Sequence, residues 1–95
     1  MASLQYFATE ALTVSSTSVG FTAATRGAAD YAHIYVDIAD ARILVTGGDV
    51  TTSNGVPVAV GDEILLENAD EVERFRAIRD GGTDVTLIAQ FGKRY

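Results

Sequence analysis

Between Ala32 and Ala39 the chain alternates strictly, Ile34, Val36 and Ile38 on one parity and His33, Tyr35 and Asp37 on the other, which is the two-residue period of a half-buried strand. Arg42 to Thr46 is a second strand after the tight connection Asp40-Ala41, so the two runs read as an antiparallel hairpin or a corner between sheets. Glu63 to Glu67, opened by Gly61-Asp62 and stopped by Asn68, is a third strand. Asp84 to Phe91 is another, with Val85, Leu87, Ala89 and Phe91 on one face. Leu4 to Val14 is less regular and fits a strand kinked near Thr9-Glu10.

The connections carry their own signals. Asn54-Gly55 is a turn dipeptide whose residues tolerate positive φ, and Pro57 places Thr51 to Gly61 at a sheet edge. Asn68-Ala69-Asp70-Glu71 matches a capping box, in which Asn68 accepts from the amide three residues on and Glu71 reaches back to the cap amide. A short helix from Ala69 to about Arg74 follows, then extended Phe75 to Arg79 and a hairpin turn at Asp80-Gly81-Gly82-Thr83. Ser15 to Asp30 reads as a short strand followed by a loop or arm, irregular from Thr25 to Asp30. Gly92 to Tyr95 is a fraying tail. Val, Ile and Thr outnumber Leu, Met, Gln, Glu and Lys, which favours pleated structure over helix.

The resulting expectation is an all-β domain, a small β-sandwich or jelly-roll-like barrel of six to eight strands with one short helix. Its core comprises Ile34, Val36, Ile38, Ile43, Val45, Ile64, Leu66, Phe75, Val85, Leu87 and Phe91. Residues 1–31 supply an N-terminal strand plus arm or loop, and residues 32–95 the sandwich core of what is one domain overall. At 95 residues there is room for a single thin core, and an oligomer interface would add apolar burial.

Charge and chemistry narrow the function further. Thirteen acidic against seven basic residues give a net charge of -6, which disfavours nucleic acid and anionic membranes as partners. With no cysteine, disulfides, thiolate nucleophiles and zinc-thiolate sites are excluded. The N-terminus has no basic region or apolar stretch of signal-peptide kind, so the expected site of synthesis is the cytoplasm without export. His33, the single histidine, shares a strand face with Tyr35 and Asp37 but lacks a third metal ligand or a nucleophile to serve. Asp62, Glu63, Glu67, Asn68, Asp70 and Glu71 are dense in oxygen ligands, yet Ile64, Leu65 and Leu66 break the spacing that a calcium loop requires. Arg74, Arg76 and Arg79 alternate with apolar residues beside Asp70, Glu71, Glu73 and Asp80 and read as surface ion pairs. Neither Gly47-Gly48 nor Gly81-Gly82 stands in a phosphate-binding fingerprint. The expectation is a protein that is no enzyme, with no catalytic, metal-binding or cofactor-binding residues.

One anomaly remains on the faces that should be polar. Tyr35 stands opposite Ile34-Val36-Ile38, Leu44 opposite Ile43-Val45, Leu65 opposite Ile64-Leu66 and Ile88 opposite Val85-Leu87-Ala89. A sheet with one wet face carries polar residues there. Either the N-terminal segment covers that face, or Tyr35, Leu44, Leu65 and Ile88 form a contact patch for another chain.

Three segments carry a resemblance: Ala32-His33-Ile34-Tyr35-Val36-Asp37-Ile38-Ala39-Asp40-Ala41-Arg42-Ile43, then Gly55-Val56-Pro57-Val58-Ala59-Val60-Gly61-Asp62, and Phe75-Arg76-Ala77-Ile78-Arg79-Asp80-Gly81-Gly82-Thr83-Asp84-Val85-Thr86-Leu87. In this order they resemble a family of short all-β proteins encoded among the virion-structure genes of tailed bacteriophages, over about two thirds of the chain. Leu44-Val45 departs from it, a more polar strand exit being expected there. The resemblance implies a virion component without catalysis, foremost a capsid decoration or cement protein that stabilises the head by oligomeric contacts. Its partners would be further copies of itself and the major capsid or tail protein. A head-to-tail connector or tail component is the alternative it leaves open. A β-sandwich binding module for carbohydrate or calcium is the alternative outside the family.

Overall fold

The computed structural model describes residues 4–94 as seven strands in two antiparallel sheets, with two short helices. The strands are β1 (Leu4–Val14), β2 (Tyr31–Asp37), β3 (Ala41–Leu44), β4 (Val56–Val58), β5 (Glu63–Leu66), β6 (Arg76–Arg79) and β7 (Val85–Arg94), and the helices are α1 (Ala23–Arg26) and α2 (Ala69–Arg74). One sheet has the order β1-β7-β2-β5 and the other β4-β3-β6. Val19 forms a bridge with Ala77 on the free side of β6, donating to and accepting from it at 3.1 and 2.9 Å. Counting that bridge as a vestigial strand, the eight extended segments pair first with last, second with seventh, third with sixth and fourth with fifth. This is the order of a jelly roll.

Alternation explains which side chains meet between the sheets. From β2 come Ala32, Ile34 and Val36, from β7 come Val85, Leu87, Ala89 and Phe91, and all seven are fully buried. Ala41, Ile43 and Ala77 face them from the other sheet, with Phe75 from the link between α2 and β6. Eight of the eleven expected core residues are buried, while Val45 and Ile64 are half-buried at its margin. Ile38 is the exception, at 61% exposure. β2 ends at Asp37, and Ile38 turns the chain from one sheet to the other at φ 77°, with Ala39 N donating to Asp37 O at 2.9 Å. That bond across two residues at positive φ marks the strained form of the γ-turn, so Ile38 leaves the strand's alternation.

Other expectations need correction as well. Phe21 is a core residue: it stacks on Phe75 with centroids 4.9 Å apart and meets Phe91 edge-on at 5.0 Å. Of the stretch Thr25 to Asp30 expected to be irregular, Thr25 and Arg26 belong to α1, a second helix with Thr22 as its N-cap residue, and the Glu10 carboxylate accepts from Thr22 N at 3.1 Å and Thr22 Oγ1 at 3.0 Å. The irregularity in β1 lies between Tyr6 and Ala8 rather than at Thr9-Glu10. Asp80 to Thr83 is no hairpin, because β6 and β7 lie in different sheets. Gly92 to Arg94 continue β7, with Gly92 paired to both Tyr6 and Tyr31; Tyr95 lies outside the described residues. In α2 Asn68 caps Glu71 N at 2.9 Å as expected, whereas Glu71 reaches Glu67 N, also at 2.9 Å, and not the cap amide.

Candidate interaction surface

The outward parity of the larger sheet builds a continuous face in rows that follow the strand register. One row runs Ala11, Ile88, Tyr35, Glu63 across β1, β7, β2 and β5, and the next runs Thr9, Gln90, His33, Leu65. Tyr35 and Ile88 are therefore direct cross-strand neighbours, and Leu65 stands diagonal to Tyr35, within reach of its ring. Their exposures are 40% for Tyr35, 36% for Ile88 and 51% for Leu65. Nothing among the described residues covers this face.

Leu44 does not join them. It lies on β3 in the other sheet, opposite Arg76, and is half-buried. The outer side of that sheet is closed by the loop of residues 45–55. Arg42 Nη1 donates to Gly55 O at 3.0 Å, Val50 N donates to Ser18 Oγ at 3.1 Å, and both Val50 and Ile78 are buried outside the main core. Gly55 is required there for space: a Cβ would lie 2.6 Å from Arg42 Cβ and 2.7 Å from Val50 Cγ1. Positive φ is not the reason, since Asn54 and Gly55 both avoid it. Asn54 instead accepts from Thr51 N at 2.7 Å and holds the loop shut. Of the four residues expected to form one patch, the structure brings together three and separates Leu44.

At the far end of the open face Tyr6 and Tyr31 meet edge-on, centroids 6.1 Å apart, over Gly92, which has no side chain to hold them apart. Arg94 lays its guanidinium 5.0 Å above the Tyr31 ring and donates from Nη1 to Glu67 O at 2.6 Å. Partial burial of Tyr6 and the facing Tyr31 hydroxyl raise the Tyr6 phenol above its ordinary value. Neither ring is missing from the chain's alternation, but their meeting depends on pairing β1 and β2 to the same strand, which local pattern does not reveal.

Several of the residues weighed for chemistry are engaged within the chain. His33 Nε2 lies 2.9 Å from Glu63 Oε1 across the β2–β5 ladder. Asp62 accepts from Ala59 N at 2.8 Å, and Asn68 and Glu71 serve α2. Among the described residues no group of three His, Asp or Glu converges as a metal site would require. The arginines pair differently from expectation: Arg79 with Asp84 at 2.6 Å, Arg42 with Asp80 at 2.8 Å and Arg26 with Glu73 at 3.7 Å. Arg74 and Arg76 make no ion pair among the described residues. No helix there is long and apolar enough to cross a membrane. Comparison with protein-family models, with curated proteins and with solved structures yields no match.

Proposed function

We propose that the protein is a non-enzymatic virion structural protein, a capsid decoration protein that grips the head shell with the open face of its larger sheet and acts as an oligomer. The observation that carries this reading is the uncovered cluster Tyr35, Ile88 and Leu65 on a sheet whose sister sheet is closed by its own loop. An aromatic and two branched aliphatics on a flat face, ringed by Thr, Gln and His, have the make-up of an interface centre with a polar rim. The segment resemblance to phage virion proteins and the jelly-roll order, which viral shell proteins use, point the same way; the second is analogy of fold alone. Cementing a shell by buried area needs no cofactor and no bond chemistry.

Lectins also use jelly rolls, and three tyrosines on one face invite a sugar-stacking reading. Two geometric facts disfavour it. Tyr6 and Tyr31 stand at 61° to each other rather than forming a platform, and Arg94 already occupies a face of Tyr31. The experiment is quantitative protein composition of purified particles together with shell binding by the full chain. Decoration predicts hundreds of copies per particle and loss of binding in Tyr35→Asp and Ile88→Asp variants that fold normally. About a dozen copies, the stoichiometry of a closed ring, would move the protein to the head-to-tail connector or tail. Absence from particles would overturn the virion reading.

A further inference from the structure

We infer that two copies of the chain associate edge to edge through β1, joining their larger sheets into one continuous eight-stranded sheet about a two-fold axis at Ala11. This deepens the oligomer half of the proposed function by naming the surface through which the copies meet, and rests on that reading only so far.

Among the described residues the two sheets have four strand edges, and three are blocked. β6 is capped by the 15–19 segment, through the Val19 bridge and through Arg79 N donating to Ser15 O at 2.9 Å. β4 is three residues long and contains Pro57, and β5 is four residues long, bounded by Gly61-Asp62 and Asn68. Short strands and proline are the ordinary protections of an edge. β1 has neither. It runs for eleven residues, pairs with β7 on one side, and among the described residues no backbone or side-chain hydrogen bond reaches its main chain from the other. Alternate N–H and C=O groups of an antiparallel edge point outward and demand partners. Only the register shift beside Phe7 interrupts it, leaving Ala8 to Val14 regular over roughly 24 Å.

The occupant follows from charge and from symmetry. A chain of net charge -6 repels its own copies wherever carboxylates face each other. On β1 the single acidic residue is Glu10, which points to the inner side, where Thr22 holds it with two donors, while the outward positions Thr9, Ala11 and Thr13 carry no charge. The β1 edge is therefore a place where two copies meet without opposing carboxylates on the outer face. Antiparallel pairing about Ala11 sets Thr9 against Thr13 of the second copy and Ala11 against Ala11, small or hydroxyl-bearing pairs that suit a sheet surface. The contact is isologous, so it closes as a dimer and does not propagate.

The test uses the full-length chain and its lack of cysteine. Sedimentation across micromolar concentrations should give a dimer for the wild type and for Ile88→Asp, and a monomer for the Thr9→Lys, Thr13→Lys double variant. Both substituted threonines are exposed, so circular dichroism should be unchanged. Under mild oxidation Ala11→Cys should crosslink to a covalent dimer, and Ile88→Cys should not. A monomeric wild type, a double-lysine variant that stays dimeric, or crosslinking at position 88 alone would each overturn the edge pairing. A monomer that still coats shells would refute the edge and spare the virion reading. A β1-linked dimer that binds no shell would do the reverse.

Discussion

Single residues in this protein are constrained by backbone as much as by burial. Ile38 holds a β-branched side chain at φ 77° while 61% exposed, so it pays conformational strain of about 1–3 kcal/mol without the burial that normally offsets it. Replacement by glycine removes the Cβ conflict at a backbone-entropy cost of about 0.5–1 kcal/mol. Ile38→Gly should therefore raise stability by about 1 kcal/mol in urea unfolding; a loss would show that the turn is not strained. Gly55 shows the opposite case. A Cβ there meets Arg42, Val50 and the Thr51 carbonyl, whereas one at Gly48 meets nothing within 4 Å. Gly55→Ala should cost about 1–3 kcal/mol by overpacking, and Gly48→Ala should leave the urea midpoint almost unmoved. The Tyr6 phenol titrates above its ordinary value, so the folded chain keeps its proton where the unfolded chain has lost it. The sign is that of an acid with raised folded pKa: stability declines as pH climbs from the ordinary phenol value through the raised one. Absorbance titration should show the Tyr6 phenol moving back toward its ordinary value in Tyr31→Phe, since the facing Tyr31 adds to the effect of burial.

Elements whose evidence is local were legible from the chain, and those that depend on distant partners were not. β2 and β7 announce themselves by alternation, β5 by an apolar run bounded by Gly61-Asp62 and Asn68, and α2 by its Asn68 cap, because each signal lies within a few residues. Alternation alone does not say where a strand stops, which is why Ile38 reads as core. Turn residues do not say which sheet the next strand joins, which is why Asp80 to Thr83 reads as a hairpin when it crosses between sheets. Phe21, isolated in a run of Ser, Thr, Ala and Gly, has no periodic neighbours, and its burial comes wholly from Phe75 and Phe91. The same distance hid the candidate surface: Tyr35, Leu65 and Ile88 were recognisable as apolar residues on polar faces, but Leu44 belongs to a different sheet and is shielded. Phe21→Ala should cost about 3–5 kcal/mol, a large share of the ~5–15 kcal/mol that stabilises a typical domain. Urea unfolding measures the loss. A cost below about 1 kcal/mol would mean that the segment leading into α1 is not integral to the core.

At the scale of the whole molecule, a net charge of -6 coexists with a long free edge whose outward positions Thr9, Ala11 and Thr13 are uncharged. The structure is 42 Å along its major axis and 24 × 22 Å across. Two such molecules repel at a distance, yet the proposed contact at β1 is made of backbone hydrogen bonds and, on the outer face, uncharged side chains, so short-range attraction and long-range repulsion differ in origin. Added salt shrinks the screening length from about 30 Å at 0.01 M to about 8 Å at 0.15 M, a range that brackets the 24 × 22 Å cross-section of the molecule. Screening should therefore relieve repulsion between the two halves without weakening the ladder that joins them. Dimer dissociation measured by sedimentation should become weaker as sodium chloride rises over that interval, tightening association. An interface held by ion pairs across the edge would respond in the opposite sense, loosening as salt is added. The direction of the salt dependence thus distinguishes strand pairing from charge pairing, and a dimer that dissociates on adding salt would place the contact on the arginine-bearing surfaces instead.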